Sequence, residues 1–131
     1  VDMEIKFYLE GERINPRLFS DVAEYWAEKI HSSGGRDSNK RSQIRKFYDE
    51  VVLWNSRAKT SSESWENIQP FVNMLIAKAA YAYGRKEKVS KAFLDDFIRT
   101  CIRQVHNPRD LDVFASFFEA FMGYYRQYGE N

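Results

Sequence analysis

The chain has 131 residues, with 20 Lys and Arg against 19 Asp and Glu, and is 44% apolar and 16% aromatic. This balance excludes intrinsic disorder, and no apolar run approaches the roughly 20 residues that cross a bilayer, so no membrane partner is expected. One cysteine and two histidines leave no internal disulfide and no structural zinc site. Nothing at the start reads as a signal peptide. The expectation is one cytoplasmic domain over residues 1–131, without metal or cofactor.

Met3, Ile5, Phe7 and Leu9 alternate with Glu4, Lys6 and Tyr8, a period of two that predicts a short strand or extended arm over residues 1–13. Val1-Asp2 ahead of Met3 reads as a cloning remnant, with Met3 the natural start. Asn15 as cap and Pro16 at the first helical position open a first helix. Phe19, Val22, Ala23, Trp26 and Ile30 form its stripe, and Gly34-Gly35 ends it. A second helix starts near Ser42 and carries Ile44, Phe47, Tyr48, Val51, Trp54 and Ala58 on one side.

After a polar stretch from Lys59 to Ser64, a third helix runs from Trp65 or Pro70 to Tyr83 and is closed by Gly84. Its segment from Phe71 to Ala80 is apolar nearly all round, as expected of a central helix. Ser90 caps a fourth helix with Phe93, Leu94, Phe97, Ile98, Cys101 and Val105 on its stripe. Asn107-Pro108 opens a fifth, with Asp110 in its first turn. Leu111, Phe114, Phe117, Phe118, Phe121, Met122, Tyr125 and Tyr128 make its wide aromatic face, and Gly129 stops it. Short connections predict a largely antiparallel bundle of about five helices over residues 15–129. The fold class is all-α.

The catalytic inventory is thin. His31 and His106 belong to no metal-spaced pair. Gly34-Gly35 lacks the strand and the Lys-Ser/Thr of a phosphate loop. Asp49-Glu50, Asp95-Asp96 and Asp110/Asp112 diverge around their helices and read as solvated surface. Cys101 on an apolar stripe reads as a buried thiol, and His106 as a C-terminal cap. The aromatic stripe of the last helix has the spacing of a core face rather than of a base-stacking platform. No enzyme is expected.

Charge is distributed unevenly along the chain. Residues 31–91 hold twelve basic and six acidic residues, whereas the two flanks hold eight basic and thirteen acidic. Arg36, Lys40, Arg41, Arg45 and Lys46 stand against Asp37 alone, and Arg85, Lys86, Lys88 and Lys91 against Glu87. The first cluster spans a Gly-containing loop and the opening turn of a helix, where free N–H groups and the helix dipole favour an anion. A solvated loop with scattered charge explains the same residues equally well.

Three segments carry a family resemblance. Ser42-Gln43-Ile44-Arg45-Lys46-Phe47 resembles a Ser/Thr-x-Ile/Leu-Arg motif at a helix start. The run Leu75-Ile76-Ala77-Lys78-Ala79-Ala80-Tyr81-Ala82-Tyr83-Gly84-Arg85 is similar to a Lys-x-x-Tyr-x-x-Gly-Arg stretch. The segment from Phe114 to Gly129 resembles a Phe-x-x-Phe/Tyr-x-Glu-Ala-x-x-x-Tyr-x-x-x-Tyr-Gly ending. All three belong, in this order, to the small subunit of type III-A CRISPR (Csm) effector complexes, and the resemblance covers roughly residues 38 to 129.

The resemblance implies a helical, non-catalytic subunit whose copies stack as a filament or pair as a dimer. It implies other Csm subunits, CRISPR RNA and target RNA as partners. Base pairing then reads the sequence, and Lys and Arg need only meet phosphates. The expected RNA contacts are Lys40, Arg41, Ser42, Arg45 and Lys46, followed by Lys78 and Arg85, with Arg36, Lys86, Lys88 and Lys91 at the rim. Ser42 is also expected to cap the second helix, and Lys78 to pair with a carboxylate or reach out to solvent. The alternative is a helical protein–protein interaction module that touches no nucleic acid. Helix-turn-helix DNA binding fits less well, because no helix carries polar base readers on one face.

Overall fold

The alternating N-terminus folds back on itself in the computed structural model, which describes residues 3–128. The expected cloning remnant Val1-Asp2 and the helix stop at Gly129 lie outside those residues. Tyr8–Leu9 (β1) pairs antiparallel with Arg13–Ile14 (β2), Tyr8 opposite Ile14 and Leu9 opposite Arg13. Gly11, at φ 69°, and Glu12, at φ 59°, are the left-handed residues of the connecting turn. Ile5 and Phe7 are buried as the period of two requires. The Gln104 side chain acts as a surrogate strand edge: its Oε1 accepts from Phe7 N–H at 2.9 Å and its Nε2 donates to the Ile5 carbonyl at 2.8 Å.

The first helix departs from its expected form. Leu18–Val22 winds as a π-helical turn before α1 (Ala23–Ser32) begins. The wider turn brings Leu18 inward, leaving Phe19 39% exposed rather than on the stripe. Asn15 is not a helix cap at Pro16. Its Oδ1 accepts from Arg17 N–H at 3.1 Å and its Nδ2 donates to the Lys6 carbonyl at 3.1 Å, tying the turn to the arm.

Helices α2 (Arg41–Thr60) and α3 (Trp65–Gly84) follow. The third helix starts at Trp65, with Pro70 inside it at the loss of one backbone bond. It is not the central helix that its composition predicts. Ile68, Val72, Leu75 and Ala79 are buried, but Phe71 and Met74 are each 45% exposed and Tyr81 70%. The fourth helical segment is again π-wound over Phe93–Arg99 and closes as α4 (Thr100–Ile102). Ser90 caps it as expected, its Oγ accepting from Phe93 N–H at 3.1 Å.

The centre belongs to α5 (Pro108–Tyr125), extended by a 3-10 turn over Arg126–Tyr128. Asn107 caps it by accepting from Asp110 N–H at 2.9 Å, with Pro108 at the first position. The Asp110 carboxylate is buried, and accepts from the Tyr8 hydroxyl at 2.6 Å and from His106 N–H at 2.9 Å. Burial, and then that bond to Asp110, push the Tyr8 hydroxyl up to about 12. His106 therefore serves through its backbone N–H at a helix start, not as a C-terminal cap.

Phe114, Phe117, Phe118 and Phe121 are fully buried, so the aromatic stripe is core. Phe97 meets Phe117, Phe118 and Phe121 at ring-centroid distances of 5.8, 5.2 and 4.6 Å. Cys101 is fully buried as well, and burial pushes its thiol far above the ordinary value. The described residues form the all-α fold that the sequence predicts, with the small hairpin on one side.

Candidate nucleic-acid interface

Two basic segments that the sequence separates by some forty residues are joined at Asn39. The loop after α1 is tight: a Cβ on Gly34 would lie 2.5 Å from that of Ser38. The chain then turns through Asn39, which is buried at a left-handed φ of 58°. Its N–H donates to the Lys88 carbonyl at 2.9 Å, and its Oδ1 accepts from Ser90 N–H at 2.8 Å. Its Nδ2 donates to the Ile30 carbonyl and to Ser90 Oγ, each at 2.9 Å. Its own carbonyl accepts from the Tyr125 hydroxyl, and Ser38 Oγ donates to the Glu87 carbonyl. Every polar atom of Asn39 is thus used, and residues 36–41 lie beside residues 85–91.

This junction also sets where α2 starts. The Lys40 carbonyl accepts from Gln43 N–H at 2.9 Å and Ile44 N–H at 3.0 Å, so the helix opens at Arg41. Ser42 is two residues too late to cap it, since Lys40 holds the cap position, and no side chain caps this helix. Its first turn holds no acidic residue. The N–H groups that the first turn leaves without an intrahelical partner and the positive end of the dipole there add to the field of Lys40, Arg41 and Lys46.

Between the start of α2 and the end of α3 runs a groove of about 260 Å³. Lys46, Lys78, Arg85 and Lys88 line it together with Gln43 and Tyr81, over an apolar floor that includes Phe47 and Leu75. Glu50 is the one carboxylate in its lining. That carboxylate binds Lys78 through Oε1 and accepts from Trp54 Nε1–H through Oε2 at 3.1 Å. Lys78 therefore has the carboxylate partner expected of it, on the neighbouring helix. Among the described residues no ion pair holds Lys46, Arg85 or Lys88.

Lys40 and Arg41 fall elsewhere. They line a cleft of about 630 Å³ with His31, Arg36, Asp37, Asn39, Tyr125 and Tyr128. His31 stacks on Tyr128 at 4.7 Å between ring centroids, and Lys40 lies 3.9 Å from the Asp37 carboxylate. Arg45 and Ser42 line neither cavity; Arg45 pairs with Asp49 at 3.7 Å, one turn further along α2. The seven expected contacts thus divide into Lys46, Lys78 and Arg85 in the groove, Lys40 and Arg41 in the cleft, and Ser42 and Arg45 outside both. Gln43 and Tyr81 stand in two of the family-like segments but are not among the expected contacts. The spacing of Lys78, Tyr81 and Arg85 places all three on one face of a helix and could have found Tyr81.

The model of the family described as Csm2 Type III-A matches residues 14–131. The chain belongs to the Csm2 family. This family is the structural small subunit of the type III-A CRISPR effector complex, and it assembles with other Csm subunits and RNA. The match extends the resemblance toward the N-terminus, so that α1 and the cleft behind Lys40 fall within the Csm2 region. No curated protein and no solved structure matches the chain.

Proposed function

We propose that this chain is a non-catalytic subunit that lines the path of paired guide and target RNA, holding phosphates without reading bases. The observation that carries this reading is the groove where Lys46, Lys78, Arg85 and Lys88 converge against Glu50 alone. Cations so placed neutralise a phosphate backbone whatever its sequence. The buried thiol of Cys101, held in its protonated form, supports a role without chemistry. Copies of the chain side by side would carry such grooves along one strand, and their weak contacts would add. The work is expected in the cytoplasm, where CRISPR RNA is found.

Binding of the purified chain to unrelated RNA sequences, measured across a salt series, tests this. Affinity should fall with salt, should not depend on sequence, and should drop about tenfold or more in the Lys46→Ala/Arg85→Ala double variant. Unchanged affinity in that variant sinks the site. Binding to other Csm subunits with no RNA affinity at any salt favours a protein-interaction module instead.

A further inference from the structure

We infer that Tyr81 is a stacking platform for an unpaired RNA base, set among the cations that hold the flanking phosphates. The inference rests on the proposed RNA-lining role and adds to it a second kind of contact, with the base rather than the backbone. At 70% exposure Tyr81 is far more open than Phe71 or Met74, at 45% each, although it shares their side of α3. Tyrosines elsewhere have ring partners: Tyr25 meets Trp26, Tyr48 meets Phe118, Tyr125 meets Phe121 and Tyr128 meets His31. Among the described residues no ring contact or side-chain hydrogen bond engages Tyr81.

Its surroundings select the occupant. Lys78 lies one helical turn before it and Arg85 one turn after, Lys88 follows in the turn bonded to the end of α3, and Lys46 lines the groove from α2. An apolar protein surface laid on that ring would have to desolvate four cations with only Glu50 to compensate. A nucleotide instead brings a phosphate for the cations and a flat apolar base for the ring. Stacking is indifferent to base identity, because every base has a π-face, so it adds affinity without adding sequence preference. A base inside a continuous duplex cannot use the ring. The site therefore distinguishes unpaired or extruded nucleotides from paired ones.

The test compares the wild-type chain with Tyr81→Ala, Tyr81→Phe and Tyr81→Trp, each at low salt, on single-stranded oligoadenylate and on a blunt RNA duplex of equal length. Tyr81→Ala should weaken binding of the single strand about tenfold and leave both duplex binding and the salt dependence unchanged. Tyr81→Phe and Tyr81→Trp should bind the single strand as well as wild type. A 2-aminopurine placed in the strand should be quenched by the wild-type chain and by the aromatic variants alone. Wild-type affinity in Tyr81→Ala, an equal loss in Tyr81→Phe, or an equal loss on the duplex overturns the platform. Where Lys46→Ala/Arg85→Ala weakens binding and Tyr81→Ala does not, the platform fails and the RNA-lining role stands. Where neither variant weakens it, or the wild-type chain binds neither RNA, both fail.

Discussion

Helices α3 and α5 are both rich in apolar residues, yet their fates in the fold are opposite. Helix α5 is enclosed: Leu111, Phe114, Phe117, Phe118 and Phe121 are all fully buried, and α1 and α2 both pack along it. Helix α3 buries one stripe against α2 and the π-wound segment, and leaves Phe71, Met74 and Tyr81 on its open side. Apolar content states what a helix can bury. The number of neighbours decides what it does bury, and an apolar face left over is a surface available for contact.

Truncation should separate the two helices most sharply. Phe118 packs on Tyr48, Phe97, Phe114 and Phe121. Phe118→Ala should cost about 3–5 kcal/mol in urea unfolding. Phe71→Ala, which gives up one stacked contact with Trp54 at 4.9 Å, should cost about 1 kcal/mol. Similar losses at the two positions would mean that α3 is covered in solution.

The next largest effect belongs to the junction beside both helices. Asn39→Ala strands the Ser90 N–H, removes one of the donors to the Ile30 carbonyl and places alanine at a left-handed φ. About 2–3 kcal/mol of stability should be lost, and RNA affinity should fall with it, because residues 40 and 41 hang from this turn. A stability loss with unaltered affinity at a temperature where the variant stays folded would detach the junction from the site.

The smallest effect ties α5 to the far end of α2. Asp112 accepts from Lys59 at 2.8 Å and from Asn55 Nδ2 at 3.0 Å, and the Lys59 bond foremost holds its carboxyl below the ordinary carboxylate range. A depressed pKa in the folded state contributes stability above the unfolded value, and that stability disappears as pH falls through the folded one. Asp112 is half exposed and solvent-screened, so the contribution is a fraction of a kcal/mol. Asp112→Asn should lose that small contribution across the neutral range, flatten the acid limb of stability against pH by the same amount, and leave the most acidic range unaltered.

Much of this fold is legible wherever local chemistry decides. Asn107-Pro108 and Ser90 mark helix starts by bonds to their own near neighbours, and both form as read. The two π-wound turns are not legible, because a stripe drawn at 3.6 residues per turn assigns Phe19 to the core and passes over Leu18. The site shows the same division. Charge clusters point to Lys46 and Arg85, and the family-like stretch around Tyr81 adds Lys78, but five residues of helix rotate Arg41 about 140° away from Lys46. One basic cluster in the sequence therefore serves two cavities. Asn39 drew no notice because its partners Ser90 and Tyr125 stand fifty-one and eighty-six residues away.

The burial of Cys101 has a practical side. It is the chain's one cysteine, and its thiol lies inside the aromatic core with its ionisation suppressed. Alkylating probes attack thiolates, so the folded chain presents them with no target. A cysteine introduced on the open side of α3, at Met74 for instance, would be the single reactive position on an otherwise natural sequence. Fluorophores or spin labels could then report on that face without first removing a core side chain.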